Sequence, residues 1–389
     1  MINAVTTSTT CPYCGVGCGV IATKNEEGTF SVKGDKTHPA NFGRLCSKGS
    51  ALAETIDLEG RLLHPQVHGE QTSWDTALNA VAGGFKKIID EHGPDAVAFY
   101  VSGQLLTEDY YVANKLMKGF IGSGNIDTNS RLCMSSAVAG YKRAFGSDSV
   151  PCSYEDLDNA DLIVIEGSNT AWCHPVVFQR ITKAKQDNPN LKVIVIDPRK
   201  TATCEIADLH LPLKSGSDAA LFNGLFSYLS ETNNIDWKFV DKYTDGFVDA
   251  LIAAEKSSIT IAEVVRSCEL NRQDVQQFFT LFSETEKVVT LYSQGINQSS
   301  SGTDKSNSII NCHLATGRIG KPAMGPFSIT GQPNAMGGRE VGGLSNQLAA
   351  HMDIDNAMHH DLLSRFWQTN NLTTTAGAKA VDMFNDVAT

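Results

Sequence analysis

Positive charge is scarce in this chain: 32 lysines and arginines face 43 aspartates and glutamates, a formal net charge of −11 over 389 residues. No basic stripe interrupts that balance. This argues against a sequence-independent grip on nucleic acid or on an anionic membrane, since both need clustered Lys and Arg to neutralise phosphates. No apolar run approaches the roughly 20 residues that span a bilayer. The first residues, Met1-Ile2-Asn3-Ala4 and a Thr/Ser run, lack the charged and apolar regions of an export signal, and no twin-arginine pair precedes the first cysteine. A cytoplasmic protein is the expectation. Internal repeats are absent, and so is any G-x-G-x-x-G fingerprint, which disfavours a nicotinamide dinucleotide.

What the chain does have is core-forming material and cysteine. With 41% hydrophobic residues, a chain of this length can bury a core and divide into two or three domains. In a reducing compartment, grouped thiols read as a metal or catalytic site rather than as disulfides. Four of the ten cysteines, Cys11, Cys14, Cys18 and Cys46, lie in the first 46 residues with the spacing C-x2-C-x3-C-x27-C. A structural zinc site usually pairs two knuckles, and here the second half offers one Cys. Three close thiolates and a remote fourth suit a [4Fe-4S] cluster, one ligand per iron, with zinc as the alternative. Gly15, Gly17 and Gly19 let the loop turn tightly around it. Lys48, two residues after the fourth cysteine, is either a solvated surface lysine or a cation that raises the cluster's potential and holds an anionic second cofactor beside it.

The rest of the chain has the texture of an α/β protein. Asp95 to Gly103 reads as a buried strand, followed by a helix from Glu108 towards Gly119. Asp161 to Asn169, a helix through Pro175 to Lys185, and Leu191 to Lys200 form one βαβ pattern, with Val164 and Val195 31 residues apart. Asp218 opens another helix, and Lys287 to Gly295 reads as a further core strand. Residues 131–330 are therefore expected to form a doubly wound α/β domain. Gly317 to Gly343, dense in glycine and proline, reads as an irregular loop forming a site wall.

In such sheets ligands bind beyond the carboxyl ends of the strands. Three ends carry suitable residues: Glu166-Gly167-Ser168-Asn169, Ile196-Asp197-Pro198-Arg199-Lys200, and Gln294-Gly295-Ile296-Asn297-Gln298. Glycine admits a phosphate close to the backbone, and an acid at the second end can take ribose hydroxyls. These features point to a nucleotide-type ligand, against ordinary turn chemistry. Cys133, in NSRLCMSSA, is singled out because Arg131 and a helix N-terminus would both favour its thiolate. With no His/Asp arrangement nearby, metal ligation is preferred to nucleophilic catalysis. Cys152, Cys173, Cys204, Cys268 and Cys312 read as small buried hydrophobes.

Taken together, CPYCGVGCGV with CSKG, then NSRLCMSSA, EGSNTAWCHP, GINQSSSGTDKSN and GPFSITGQPNAMGGREVGG resemble the molybdopterin oxidoreductases of the dimethyl-sulfoxide-reductase type. Among these the bacterial assimilatory nitrate reductases are most similar, with the periplasmic nitrate reductases next. The resemblance runs from Cys11 to about Asp386. It implies a molybdenum held by two molybdopterin guanine dinucleotides and by Cys133, together with one [4Fe-4S] cluster on Cys11, Cys14, Cys18 and Cys46. Lys48 would lie between cluster and pterin. Gln104 and Asn129 match pterin contacts, while Glu166 to Cys173, Ile196 to Lys200, Gly216-Ser217-Asp218, Gln294 and Gln298 match contacts to the guanine dinucleotides. The implied architecture is a cluster domain at 1–57, a discontinuous α/β domain at 58–130 plus 331–389, and a Rossmann-like dinucleotide-binding domain at 131–330.

The implied activity is reduction of nitrate to nitrite by oxygen-atom transfer. The electron donor would be ferredoxin, flavodoxin or a NADH-linked subunit. Formate dehydrogenase is the related alternative, but there a His usually follows the metal-binding residue, where Met134 stands here. A non-enzymatic iron–sulfur electron-transfer subunit is the other. Arg339, in GGREVGG, resembles a nitrate-reductase position, and its forked guanidinium suits an oxyanion; a loop-bracing salt bridge is its structural alternative. Complete relatives are about twice as long, so the chain is expected to end inside a domain, before a C-terminal dinucleotide-binding barrel.

Overall fold

A computed structural model describes residues 5–56, 58–258 and 260–387; the domain boundary expected at residue 57 and the last two residues of the 381–389 segment lie outside them. Three antiparallel strands begin the fold: β1 (Val5–Thr10), β2 (Gly19–Lys24) and β3 (Phe30–Gly34). Cys11, Cys14 and Cys18 sit on the loop joining β1 to β2, which Cys11 N closes by donating to Cys18 O at 2.9 Å. The buried Asn41 brings the remote cysteine back. Its amide accepts from Gly19 N (2.9 Å) and donates to Gly19 O (3.0 Å) and Arg44 O (2.9 Å), pinning the segment that leads to Cys46 against the cysteine loop.

A short hairpin, β4 (Gln66–Val67) and β5 (Glu70–Gln71), precedes the helix Trp74–His92, whose start is capped by Ser73 accepting from Thr76 N. The strand expected over Asp95 to Gly103 is shorter than its composition suggests. Pro94–Ala96 forms a helical turn, β6 covers only Phe99–Val101, and Tyr100 is exposed. The reason lies in pairing: among the described residues β6 meets a single parallel neighbour, β7 (Ile126–Thr128), which leaves its other edge without a strand there. The helix expected next runs as α-helix from Thr107 to Asn114, then widens into a π-helix over Lys115–Ile121. There the buried Lys118 ammonium donates to the carbonyls of Gly342 (2.7 Å), Leu344 (2.7 Å) and Gln347 (2.5 Å), tying this helix to the 342–347 loop.

The main sheet has five parallel strands, β8 (Leu162–Glu166), β9 (Lys192–Ile196), β10 (Leu209–Leu211), β11 (Val288–Tyr292) and β12 (Gly325–Ser328), in the order β10-β9-β8-β11-β12. Winding outward from β8 in both directions makes it doubly wound, with the switch point between β8 and β11. The pleat then sorts side chains by parity. Leu162, Val164, Ile194 and Ile196 face the helices Asp218–Glu231, Arg272–Glu284 and Gly302–Ala315 through Leu221, Phe222, Phe278 and Ile309. Ile163, Ile165, Val193 and Val195 face the helix Pro175–Asp187 and share their core with Cys11, Val16, Cys18 and Val20 of the cysteine module.

The Gly317–Gly343 segment is not the irregular loop its composition suggests. Gly325–Ser328 is β12, fully buried and paired with β11, and Ala335–Glu340 is a short helix. Gly325 sits at φ +137°, where a Cβ would meet Cys152 Sγ at 2.8 Å, so glycine there serves strand packing.

Candidate functional site

Cys11, Cys14, Cys18 and Cys46 line one small cavity with Tyr13, Val16, Leu45, Gly49, Pro175 and Val176. Burial pushes the Cys18 thiol up to about 12, helped by the neighbouring Cys14, Cys11 and Cys46, and burial raises Cys11 and Cys14 as well. Three such thiols, crowded together and held up by burial, become thiolates readily only around positive charge, which is what a bound iron cluster provides. Among the described residues no three His, Cys, Asp or Glu side chains converge closely enough to hold a single metal ion. The ring of four thiols about a cavity fits a multi-iron cluster. Lys48 is exposed, and its charge acts on Cys11, Cys14 and the buried His174.

The cysteine loop rests directly on the segment after β12. Gly15 N donates to Gly331 O at 3.1 Å, and a Cβ on Gly15 would stand 2.2 Å from Thr330 O. The other side of that segment meets Cys133. Thr330 Oγ1 is 3.8 Å from Cys133 Sγ, and His174 Nε2 donates to Thr330 O at 2.7 Å, leaving Nδ1 buried without a partner. Three residues, Thr330, Gly331 and Gln332, thus separate the cysteine cavity from Cys133.

Cys133 closes a four-residue helix, Ser130–Cys133, just ahead of the helix Ser135–Phe145. Its sulfur accepts from Gln294 Nε2 at 2.9 Å. Arg131 contributes to the fold rather than to this thiol as expected: its guanidinium binds Asp127 (3.1 Å) and Asn346 (2.8 Å). Asn129 Oδ1 accepts from Gly103 N at 2.7 Å, and Ser130 Oγ donates to Gln332 Oε1 at 2.8 Å. The segment holding the exposed Gln104 is thereby brought to Asn129 and to the Thr330–Gln332 loop.

The second region is a cleft of about 430 Å³ at the switch point, lined by Gly167 and Asn169 after β8, Ile196 to Arg199 after β9, Ser215, Gly216 and Asp218, Gln294 and Gly295 after β11, and by Lys305. Gly167 at φ +54° faces Gly295 so closely that a Cβ on it would lie 2.8 Å from Gly295 Cα. Only two glycines let the strand ends cross here. Asp197 Oδ1 accepts from Arg199 N at 2.8 Å, shaping the turn along the cleft wall. Glu166 is wholly buried, and burial raises its pKa well above the carboxylate range, with Asp218 the next cause. Ser168, Lys200, Ser217 and Gln298 do not line this cleft; Ser217 Oγ turns back to Lys214 O at 2.7 Å. Gln294 does two things at once, lining the cleft and binding Cys133.

Families carrying this pattern are known. The Fe4S4 domain of molybdopterin oxidoreductases matches residues 4–58, and the molybdopterin oxidoreductase family matches residues 61–388. The chain belongs to the molybdopterin oxidoreductase family. A nitrate reductase from Klebsiella oxytoca is 57% identical over 97% of this chain and 43% of that protein, and one from Shewanella frigidimarina 48% identical over 97% and 41%. A periplasmic nitrate reductase from Desulfovibrio desulfuricans is 39% identical over 92% and 49%. This molybdopterin oxidoreductase chain thus spans less than half the length of these three relatives. Acetylene hydratase from Pelobacter acetylenicus shares the fold, with a TM-score of 0.70 at 23% identity, covering 79% of this chain and 42% of that one.

Two expectations need correction within this family frame. Arg339 is not a free guanidinium offered to an oxyanion. It is buried, its Nε donates to Asp148 at 2.7 Å and its Nη1 faces Met134 Sδ at 3.5 Å, so it braces the Ala335–Glu340 helix, with Asp148 rather than the adjacent Glu340 as partner. Cys173 is exposed and lines the cleft instead of packing, while Cys152 and Cys204 are only partly buried; Cys268 and Cys312 are buried as expected. Residues not singled out individually also emerge: His174, Thr330, Gln332 and Lys305, which lie within the quoted motifs, and Asp148, which lies outside them. The glycine-rich flag over 317–343 covered Thr330 and Gln332, and GINQSSSGTDKSN covered Lys305 without giving it a role.

Proposed function

We propose that this chain is the cofactor-bearing part of a molybdenum-dependent nitrate reductase acting in nitrate assimilation in the cytoplasm. The observation that carries the reading is the single contact Gln294–Cys133, which joins the switch-point cleft to a soft metal ligand only one loop away from the four-cysteine cavity. Relatives named nitrate reductase support the choice of substrate. No helix among the described residues is long and apolar enough to cross a membrane.

In this reading Cys11, Cys14, Cys18 and Cys46 would hold a [4Fe-4S] cluster, whose chemistry is one-electron exchange with a donor such as ferredoxin, flavodoxin or a NADH-linked subunit. Cys133 would hold molybdenum, and the cleft would hold a guanine dinucleotide arm of its pterin cofactor, with Lys48, Gln104 and Asn129 along the pterin. When bound, the molybdenum supplies the two-electron exchange that breaks one N–O bond of nitrate. The chain supplies position and charge. Gln294 draws electron density from the Cys133 sulfur through its N–H, which lessens the sulfur's donation to a metal. Met134, buried beside the guanidinium of Arg339, cannot take a proton, and this favours oxygen-atom transfer over formate oxidation. The domain division at 1–57, 58–130 plus 331–389, and 131–330 follows the same reading.

Anaerobic purification tests it: about four irons and one molybdenum per active unit are expected, with reduced dye oxidised on addition of nitrate. Zinc in place of iron, or dye oxidation by formate but not nitrate, would overturn it.

A further inference from the structure

Tyr154 stands behind the four-cysteine cavity without lining it. It begins the helix Tyr154–Asn159, whose capping box joins Ser153 to Asp156. Asp156 Oδ1 also accepts from Ala323 N at 2.7 Å, which fixes the start of the helix to the segment before β12. The ring packs on Phe327 of β12, centroids 5.9 Å apart, and the Arg180 guanidinium lies over it at 5.7 Å. Held in this way, the hydroxyl reaches the cysteine loop, 3.3 Å from Gly15 O and 3.3 Å from Val16 O.

A phenol has one proton to give, and here two carbonyls take it. Both distances are long for O–H···O, so the bond is shared and its effect modest. Burial, and then the charges of Cys14 and Cys18, push the phenol above its ordinary value, so it stays protonated and donates. The Gly15 carbonyl belongs to the same peptide group as Val16 N–H, and that N–H is hydrogen-bonded to the Cys14 sulfur. The Val16 carbonyl shares its peptide group with Gly17 N–H, which donates to Cys14 O at 3.4 Å. A donor on an amide oxygen polarises the group and strengthens the bond its N–H makes, by roughly 10–30% in a low-dielectric interior. Tyr154 therefore acts on a cluster ligand through one intervening peptide.

We propose that Tyr154 is a positioning residue for electron uptake: through the Gly15–Val16 peptide it strengthens the N–H bond to the Cys14 sulfur and raises the reduction potential of a cluster held in the cavity. Hydrogen bonds to cluster sulfurs withdraw electron density and so favour the reduced, more negative form. A cluster with a raised potential takes its electron from a weaker donor. Lys48 acts on the same thiols from the exposed side, whereas Tyr154 acts from the core side, where salt screens less. This role rests on reading the cavity as a [4Fe-4S] site, and it assigns tuning of that site to a side chain outside the ligand set.

The test is a redox titration of the full chain, purified anaerobically, with the reduced cluster followed by electron paramagnetic resonance and iron measured on the same samples. Tyr154→Phe keeps the ring and its packing on Phe327 and removes only the donor. It is expected to retain about four irons. At a fixed potential its ratio of reduced to oxidised cluster should fall about three- to tenfold, a midpoint lower by about 30–60 mV for a one-electron couple. A ring-fluorinated tyrosine at position 154, a stronger donor of nearly the same shape, should move the midpoint the other way. An unchanged or raised midpoint in Tyr154→Phe with its iron retained overturns the proposal while the cluster site stands. An unaltered chain that holds no iron overturns the cluster reading itself. Should Tyr154→Phe lose its iron, the fluorinated protein decides, and an unshifted or lowered midpoint there overturns the proposal.

Discussion

Arg180→Met should release the cysteine module from the sheet. Arg180 lies on the helix Pro175–Asp187, its side chain 3% exposed, and reaches across to the segment between β3 and Cys46. Its Nε donates to both oxygens of Asp158 (2.8 and 3.0 Å), its Nη1 to Pro39 O (3.0 Å) and Ala40 O (3.4 Å), and the guanidinium stacks on Phe42 and Tyr154 with centroids 5.2 and 5.7 Å away. Breaking a buried pair costs about 3–5 kcal/mol. Asp158, however, is 38% exposed and can turn to water, which reduces that share. The two carbonyls left without a donor cost about 1–3 kcal/mol each where they stay dry, and the lost ring contacts up to about 2 kcal/mol. Methionine recovers part of the packing. A net loss of about 3 kcal/mol is expected, a population shift of roughly a hundredfold towards the undocked module. Limited proteolysis between β3 and Cys46 reads that opening directly, and iron content after gel filtration reads its consequence. Arg180→Lys, which keeps the charge without the fork, should fall between. If Arg180→Met keeps the iron content and cleavage rate of the parent protein, Arg180 does not hold the module and the reasoning is wrong.

Cys133→Ser should abolish molybdenum retention and nitrate-dependent dye oxidation while iron content stays at the parental level; retention of molybdenum would remove Cys133 as its ligand. Gly167→Ala should destabilise the chain by about 1–2 kcal/mol or more, from the left-handed backbone alone, and weaken GDP binding, since the added methyl forces Gly295 away; an unfolding midpoint and GDP affinity unchanged from the parent would contradict the crossing of these strand ends. Lys118→Met leaves three buried carbonyls without a donor and should cost several kcal/mol in urea unfolding, with the 342–347 loop becoming protease-sensitive. His313 is buried, its Nε2 2.8 Å from Thr290 Oγ1, and burial lowers its pKa from 6.5 to about 3. As pH falls below 6.5 the unfolded chain takes up a proton that the folded chain refuses, so stability should fall by up to about 1.4 kcal/mol per pH unit until about pH 3. His313→Gln should flatten that slope, as measured by unfolding at stepped pH, and an unaltered slope would assign it to other groups.

The elements easiest to read from sequence were those whose signal is local. The strands ending at Glu166, Ile196 and Tyr292 are short β-branched runs bounded by glycine or aspartate, and they form where such runs predict. Their shared parallel sheet followed from the βαβ spacing. β12 was hidden, because four residues between glycines and prolines carry no period of their own. The strand exists because β11 offers a free parallel edge. Arg339 shows the opposite failure. Its motif suggested a free cation, but Asp148, 191 positions away, takes the guanidinium, and no pattern near GGRE announces that partner. Cys173 was misjudged for a similar reason, since exposure at a cleft rim is not written in the residues beside it.

The sequence alone determined the candidate ligand chemistry: four thiols with a spacing that suits a cluster, a further thiol beside small hydroxyl residues, and glycines at strand ends that leave room for a close ligand. These depend on residue type and short spacing, and both survive without coordinates. Only the tertiary structure decided how the parts meet. Gln294 reaching from the cleft to Cys133, Thr330 standing between Cys133 and the cysteine loop, and Lys305 set against Asp218 each join segments far apart in the chain. Such contacts are set by how the sheet winds outward from β8, because that topology brings the ends of β8, β11 and β12 together at one edge.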